Sequence, residues 1–151
     1  MSCLPDSNIL LRLVNKNDPN HLNVRQSIKK LEIEGEELVV IPQVLVEFWV
    51  VATRPVDVNG LGMGPDEAEV ELEKLQNLFP VLSENEDIFI QWRALVTTLK
   101  ISGKPSHDAR IAAAMMVYDV DKILTFNTGH YKRFTKITAL RPQDILQKNG
   151  S

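Results

Sequence analysis

Apolar and polar positions along the chain alternate between two periods, one typical of strands and one of helices. Residues 2 to 5 are a short apolar lead that ends at Asp6. Ile9, Leu10, Leu13 and Val14 then recur at helical spacing, with Ser7 or Asn8 placed to cap the helix. Asn17-Asp18-Pro19 reads as a turn and a new start, and Leu22, Ile28 and Leu31 give a weak helical stripe that Gly35 can end. Leu38 to Ile41 is a β-branched apolar run with charge before it and Pro42 after it. That pattern predicts a buried strand feeding directly into a helix from Pro42 to about Thr53.

Arg54 to Gly64 carries proline and glycine punctuation and is the longest predicted loop. Pro65 opens an acidic amphipathic helix with Ala68, Leu72, Leu75 and Leu78 inward. Pro80 to Leu82 suits a short strand, and Ser83-Glu84-Asn85-Glu86 has a capping-box pattern. The helix it opens buries Ile88, Trp92, Leu95, Val96 and Leu99 and ends at Gly103. Ser106 can cap the next helix, whose residues Ala109 to Val117 are small or apolar nearly all round, as in a central buried helix. Lys122 to Phe126 and Ile137 to Leu140 read as strands and Pro142 to Gln147 as a terminal helical turn. Strand and helix therefore alternate. The expected fold class is α/β, a central parallel sheet of four or five strands with helices on both faces and right-handed crossovers.

Composition limits this picture to one unit. A chain of 151 residues forms a single domain that buries roughly 70% of its unfolded surface, here residues 1 to 147 with a tail at 148 to 151. The hydrophobic share of 44% and charged share of 25% are those of a globular protein rather than a disordered or membrane chain. Cys3 is the single cysteine, so no internal disulfide or thiolate cluster forms, and the cytoplasm is the default location. The longest apolar region, Val44 to Ala52, is broken by Glu47, so neither a targeting segment nor a membrane segment is expected.

The net charge of -3 is unevenly spread. Residues 66 to 87 hold eight acidic side chains against Lys74 alone, whereas residues 122 to 143 hold Lys122, Lys132, Arg133, Lys136 and Arg141 and no acid. Two solvated faces would explain this, and so would a basic stretch that meets an anionic ligand.

In open α/β sheets the ligand crevice lies beyond the carboxyl ends of the strands. Asp6 ends the first predicted strand, Glu47 lies early in the helix after the second, Asp108 is in the first turn of the central helix, and Asn127 closes a later strand. All four favour the same edge. Glu47 is the most informative, because an unpaired carboxylate within Val44-Leu45-Val46-Glu47-Phe48-Trp49-Val50-Val51 is costly to bury. It needs a partner: solvent along one face, an arginine such as Arg54, or a shared cation. Asp108 can also be read as a helix-start acid and Asp6 as a cap. Gathering all three without a cation opposes like charges worth about 4 kcal/mol per pair at roughly 4 Å. Oxygen ligands select hard ions, so Mg²⁺ or Mn²⁺ is expected. His21, His107 and His130 share no helical spacing and are read as surface or neighbouring residues rather than ligands.

These segments, in this order, resemble the PIN domain, and the chain is similar to the VapC-like toxin branch of that family over nearly its whole length. Asp6-Ser7-Asn8-Ile9-Leu10, Val44-Leu45-Val46-Glu47-Phe48 and His107-Asp108-Ala109-Arg110-Ile111-Ala112-Ala113 carry the resemblance. The fourth family position falls in Leu124-Thr125-Phe126-Asn127-Thr128-Gly129-His130-Tyr131, where Asn127 replaces what is commonly an aspartate. The resemblance implies a metal-dependent endoribonuclease acting on single-stranded RNA, usually encoded beside a protein antitoxin that blocks the site. Because Asn127 departs from that pattern and removes a charge, one well-held ion and at best a weak second one are expected. Family members are often homodimers.

On this reading Asp6, Glu47 and Asp108 hold the metal, and Asn127 orients a water or completes the shell. Asn8 and Thr125 fix the carboxylates from behind. Among the basic residues flanking the motifs, Arg12, Arg54, Lys104, Arg110, Lys132 and Arg133, the first choices for RNA phosphates are Arg12 and Arg110. Either arginine could instead pair with the carboxylate cluster or with a helix end. Aromatic residues are only 6%, so base stacking of the RNA-recognition-sheet kind is not expected. A phosphatase with an aspartate nucleophile would need a second acid two residues on, where Asn8 stands. The remaining alternative is a module that keeps the fold but, with Asn127 marking a weakened site, binds RNA or a protein partner.

Overall fold

Four short strands, β1 (Ser2–Pro5), β2 (Glu37–Leu38), β3 (Lys122–Leu124) and β4 (Thr138–Leu140), form one parallel sheet in this computed structural model, which describes residues 1 to 147. The expected tail at 148 to 151 lies outside the described residues. The strand order is β2-β1-β3-β4. In register, Cys3 pairs with Leu38 on one side and Lys122 on the other, and Pro5 pairs with Leu124. The expected strand at Pro80 to Leu82 is reduced to one parallel bridge between Val40 and Val81. Pro80 offers its carbonyl to Val40 but has no N–H to return, so the ladder does not extend there.

Among the described residues seven α-helices flank the sheet: α1 (Ser7–Val14), α2 (His21–Ile33), α3 (Pro42–Thr53), α4 (Pro65–Leu78), α5 (Glu86–Thr98), α6 (Pro105–Val117) and α7 (Pro142–Gln147). Four of them begin on proline, whose missing N–H costs nothing in the first turn and whose fixed φ suits it. Three caps differ from the sequence expectation. Asp6, not Ser7 or Asn8, caps α1, its Oδ1 accepting from the Ser7 amide at 2.8 Å. Asn85 rather than Ser83 caps α5, accepting from the amides of Asp87 and Ile88. Ser106 lies inside α6, one residue past Pro105.

The core gathers around α6, which is enclosed nearly all round, while the outer helices turn one stripe inward. Ala109 and Ile111 to Met115 on α6 are buried, and α5 packs along α6 with the Trp92 indole N–H donating to the Ser106 carbonyl at 2.8 Å. Leu22, Leu78 and Leu99, expected inside, are exposed, while Val24 and Phe79 beside two of them are buried. α2, α4 and α5 are each covered on one side only, so a shift of one or two residues decides which apolar side chain is enclosed. No helix among the described residues is long and apolar enough to cross a membrane.

The chain leaves β1 through α1 and α2 to β2 on one side, then returns through α3 to α6 to β3 on the other side of β1. The order therefore reverses at β1, and the crevice opens beyond the carboxyl ends of β1 and β3. At the opposite end Lys122 Nζ meets Glu36 at 3.1 Å, tying β3 to the segment before β2 across the central strand. Burial pushes the neighbouring Cys3 thiol up to about 12, so it packs as an apolar group rather than as a nucleophile.

Candidate active site

The crevice is a hollow of about 700 Å³. Asp6, Glu47, Asp108 and Asn127 all line it, together with Ser7 and Asn8. Asp6 is delivered by the end of β1 and held by the start of α1. Glu47 projects from the second turn of α3, and Asp108 from the first turn of α6. Asn127 follows β3, immediately before a short 3₁₀ turn over Thr128–Tyr131.

Asp6 is the most enclosed of the acids, 6% exposed, and its oxygens are divided between two sets of donors. Oδ1 accepts from the Ser7 amide, while Oδ2 accepts from Thr125 Oγ1 at 3.0 Å and from the Tyr131 hydroxyl at 3.4 Å. Thr125 is fully buried, and its hydroxyl also accepts from Asn8 Nδ2 and from the Asn127 amide, each at 3.1 Å. Asn8 Oδ1 in turn accepts from the Phe126 amide at 3.1 Å, which fixes its orientation. Thr125 therefore contacts Asp6 directly, and Asn8 reaches it only through the Thr125 hydroxyl.

Two side chains were missed in the sequence. Tyr131 is fully buried, and burial followed by the nearby carboxylates pushes its phenol far above its ordinary value, so it stays a neutral donor. The only hint was a tyrosine close behind Asn127. Gln43, one turn before Glu47, donates to the Glu47 carboxylate at 3.3 Å and to the His107 carbonyl at 2.9 Å, so it links α3 to α6.

All three acids are lifted above the usual carboxylate range, first by burial. The charges of Asp6 and Asp108 add to the rise of Glu47, and that of Asp108 to the rise of Asp6. Asp108 is partly offset by His130, whose Nδ1 stands 3.4 Å from its Oδ2, and then by His107, Lys104 and Arg133. The groups thus feel one another across one space. No three acidic, histidine or cysteine side chains among the described residues converge on a point that could hold an ion as they stand. Glu47 is turned to Gln43, and Asp108 to His130. In chemistry the set fits a hard divalent cation: its donors are carboxylate oxygens, and their mutual repulsion is what such an ion relieves.

Arg12 and Arg110 do not line the hollow. Arg12 donates to the Asn8 carbonyl at 2.9 Å and lies over the Phe126 ring, 4.6 Å from its centre, so it braces the Asn8 turn. Arg110 is engaged by Glu84 at 2.6 Å and by the Gln43 amide oxygen at 3.2 Å. The basic side chains that do face the hollow are Lys104 and Arg133, with His107 and His130 beside them. Proximity in sequence to a motif does not reveal the partner of Arg110, because Glu84 lies 26 residues away and meets it only in the fold.

Comparison with known proteins bears on the family and the fold. A family model described as PIN domain matches residues 3 to 136. No curated protein matches the chain. Among solved structures, the fold is similar to VapBC2 from Rickettsia felis bound to a promoter DNA fragment, with TM-score 0.71 and 15% identity over 93% of this chain and 98% of that one. It is similar to VapBC-1 from nontypeable Haemophilus influenzae, with TM-score 0.71 and 21% identity over 95% of this chain and 99% of that one. It is also similar to VapC20 from Mycobacterium tuberculosis, a sarcin-ricin loop cleaving toxin, with TM-score 0.63 and 17% identity over 87% and 95% of the two chains. At such identities the likeness concerns the fold.

Proposed function

Because the chain belongs to the PIN domain family, we propose that it is a divalent-metal-dependent endoribonuclease that hydrolyses phosphodiester bonds of single-stranded RNA, and the toxin of a toxin-antitoxin pair. The observation that carries this reading is the meeting of Asp6, Glu47 and Asp108 in one hollow at the strand ends, each raised by burial and two of them further by the others' charge. Asp6, Glu47 and Asp108 would hold Mg²⁺ or Mn²⁺. When bound, such an ion supplies an activated water and stabilises charge on the phosphate. Thr125, Tyr131 and the Ser7 amide keep Asp6 oriented, and Gln43 does the same for Glu47. Asn127 lines the hollow with a neutral amide that can orient a water. Lys104 and Arg133 supply positive charge for the RNA backbone. The protein antitoxin is supported by the solved neighbours that are toxin-antitoxin complexes.

Incubating the protein with labelled single-stranded RNA and Mg²⁺ or Mn²⁺, beside an Asp6→Asn variant and an EDTA control, tests this. Cleavage that neither the variant nor EDTA reduces overturns it. A second reading, an RNA- or protein-binding module with a weakened site, is favoured by Asn127 and by the absence of a closed set of ligands among the described residues. It predicts RNA binding without cleavage.

A further inference from the structure

Of the five cations between residues 122 and 143, two are already used: Lys122 pairs with Glu36 and Asp121, and Arg141 with Asp144. Among the described residues Lys132, Arg133 and Lys136 form no ion pair, and all three are exposed. They do not face the same way. Lys132 borders a small hollow with Arg141 and Asp144. Arg133 borders the carboxylate hollow and also a second groove of about 260 Å³ between α5, α6 and the segment following the 3₁₀ turn. Lys136 lies along that second groove.

We infer that single-stranded RNA bound in the carboxylate hollow continues over Arg133 into this second groove, where Lys136 takes a backbone phosphate. The inference rests on the ribonuclease reading above and extends it to the course of the substrate. Continuity is the first argument, because one guanidinium belongs to both walls. Charge is the second: the groove lining includes Arg133 and Lys136 and no acidic side chain, although the whole chain is net negative. Chemistry is the third. Leu95, Leu99 and Met116 give the groove an apolar surface, and Thr98 and Thr135 add hydroxyls that can meet sugar or base edges. An apolar strip with cations beside it suits a flexible polyanion whose bases have apolar faces, and a single strand is the form that can lay them there. The path also has an end. Past Lys136 the adjoining hollow is lined by Asp119 and Asp121, which repel further phosphate.

The test compares kcat/KM on RNAs of about 4 and about 12 nucleotides sharing one cleavage site, in wild type, Lys136→Glu and Lys29→Glu. Lys29 is exposed on α2 and carries the same charge change to a helix outside both hollows. Wild type and Lys29→Glu are expected to favour the longer RNA. In Lys136→Glu that preference falls several-fold, and the salt dependence on the longer RNA weakens by about 0.7 in log-log slope. A general structural defect would lower both lengths equally and leave the preference intact. Cleavage by wild type whose length preference survives Lys136→Glu overturns the path while leaving the ribonuclease reading standing. Absence of metal-dependent cleavage in wild type overturns both.

Discussion

Thr125 Oγ1 lies 3.0 Å from Asp6 Oδ2, and the two hydrogen bonds that this hydroxyl accepts from Asn8 and the Asn127 amide leave its proton a single direction, toward the carboxylate. A hydroxyl has one donor and two acceptor positions, and here all three are in use. Asp6 is thereby fixed as an acceptor and cannot rotate without breaking a network that joins both ends of the fold.

Removing that hydroxyl should be costly. Thr125→Val keeps the shape but removes the partner of the buried Asp6 carboxylate and of the half-buried Asn8 amide, with an expected loss of about 1–3 kcal/mol and at least a partial loss of cleavage. Thr125→Ser should restore most of both. Denaturant midpoints read the first effect and RNA cleavage the second. Equal stability of the valine variant and wild type would contradict the network.

Acidity should act on the metal-free protein in an unusual direction. Asp6, Glu47 and Asp108 have raised pKa values in the fold, so the folded state holds protons that the unfolded state has released. Their contribution is complete below the ordinary carboxylate range and is lost as pH rises through the raised values. The metal-free Tm is therefore expected to be higher near about pH 5 than near about pH 7.5. Mn²⁺ should reverse the trend by stabilising most at the higher pH. Thermal melts across pH with EDTA or Mn²⁺ measure both arms, and a flat metal-free profile would count against mutual repulsion.

Asn127→Asp adds a fourth acid to the same hollow. The variant should melt lower than wild type without metal and gain more from Mn²⁺. If the gain in affinity places free ion at about 100 times Kd, the stabilisation is about 2.7 kcal/mol. An unchanged metal response would mean that this position does not face the ion.

Arg110 should behave as a positioning residue. Arg110→Ala breaks a partly exposed pair with Glu84, costing up to about 1 kcal/mol, and loosens Gln43 behind Glu47. The expected result is a lower kcat with an unchanged salt slope for RNA binding. Lys104→Ala, facing the hollow, should weaken RNA binding and reduce that slope. Fluorescence anisotropy over a salt series separates the two.

The acids were legible in the sequence for a physical reason. Glu47 interrupts an apolar run, and Asp6 and Asp108 fall at strand and helix ends, so local pattern alone points each toward the sheet edge. The parallel sheet was legible through alternation, and α3 and α4 through their opening prolines. Caps were less so, because Ser83 and Asn85 both satisfy a capping pattern and only the backbone direction selects Asn85. Tyr131 was hidden because its partner Asp6 is 125 residues away, and the link that Gln43 makes to the His107 carbonyl because it spans 64, although its contact with Glu47 is local. The same holds for which basic side chains border the hollow, where Arg133 does and Arg12 and Arg110 do not.

The bonds from Asp6 and Asn8 to Thr125 span 119 and 117 residues, and the Tyr131 contact extends the reach further. During synthesis the aspartate is made 119 and 125 residues before Thr125 and Tyr131, whose side chains orient it. A ribosome adding about 5–20 residues per second therefore carries a nascent chain with no assembled centre until residue 131 has emerged and the long loop has closed.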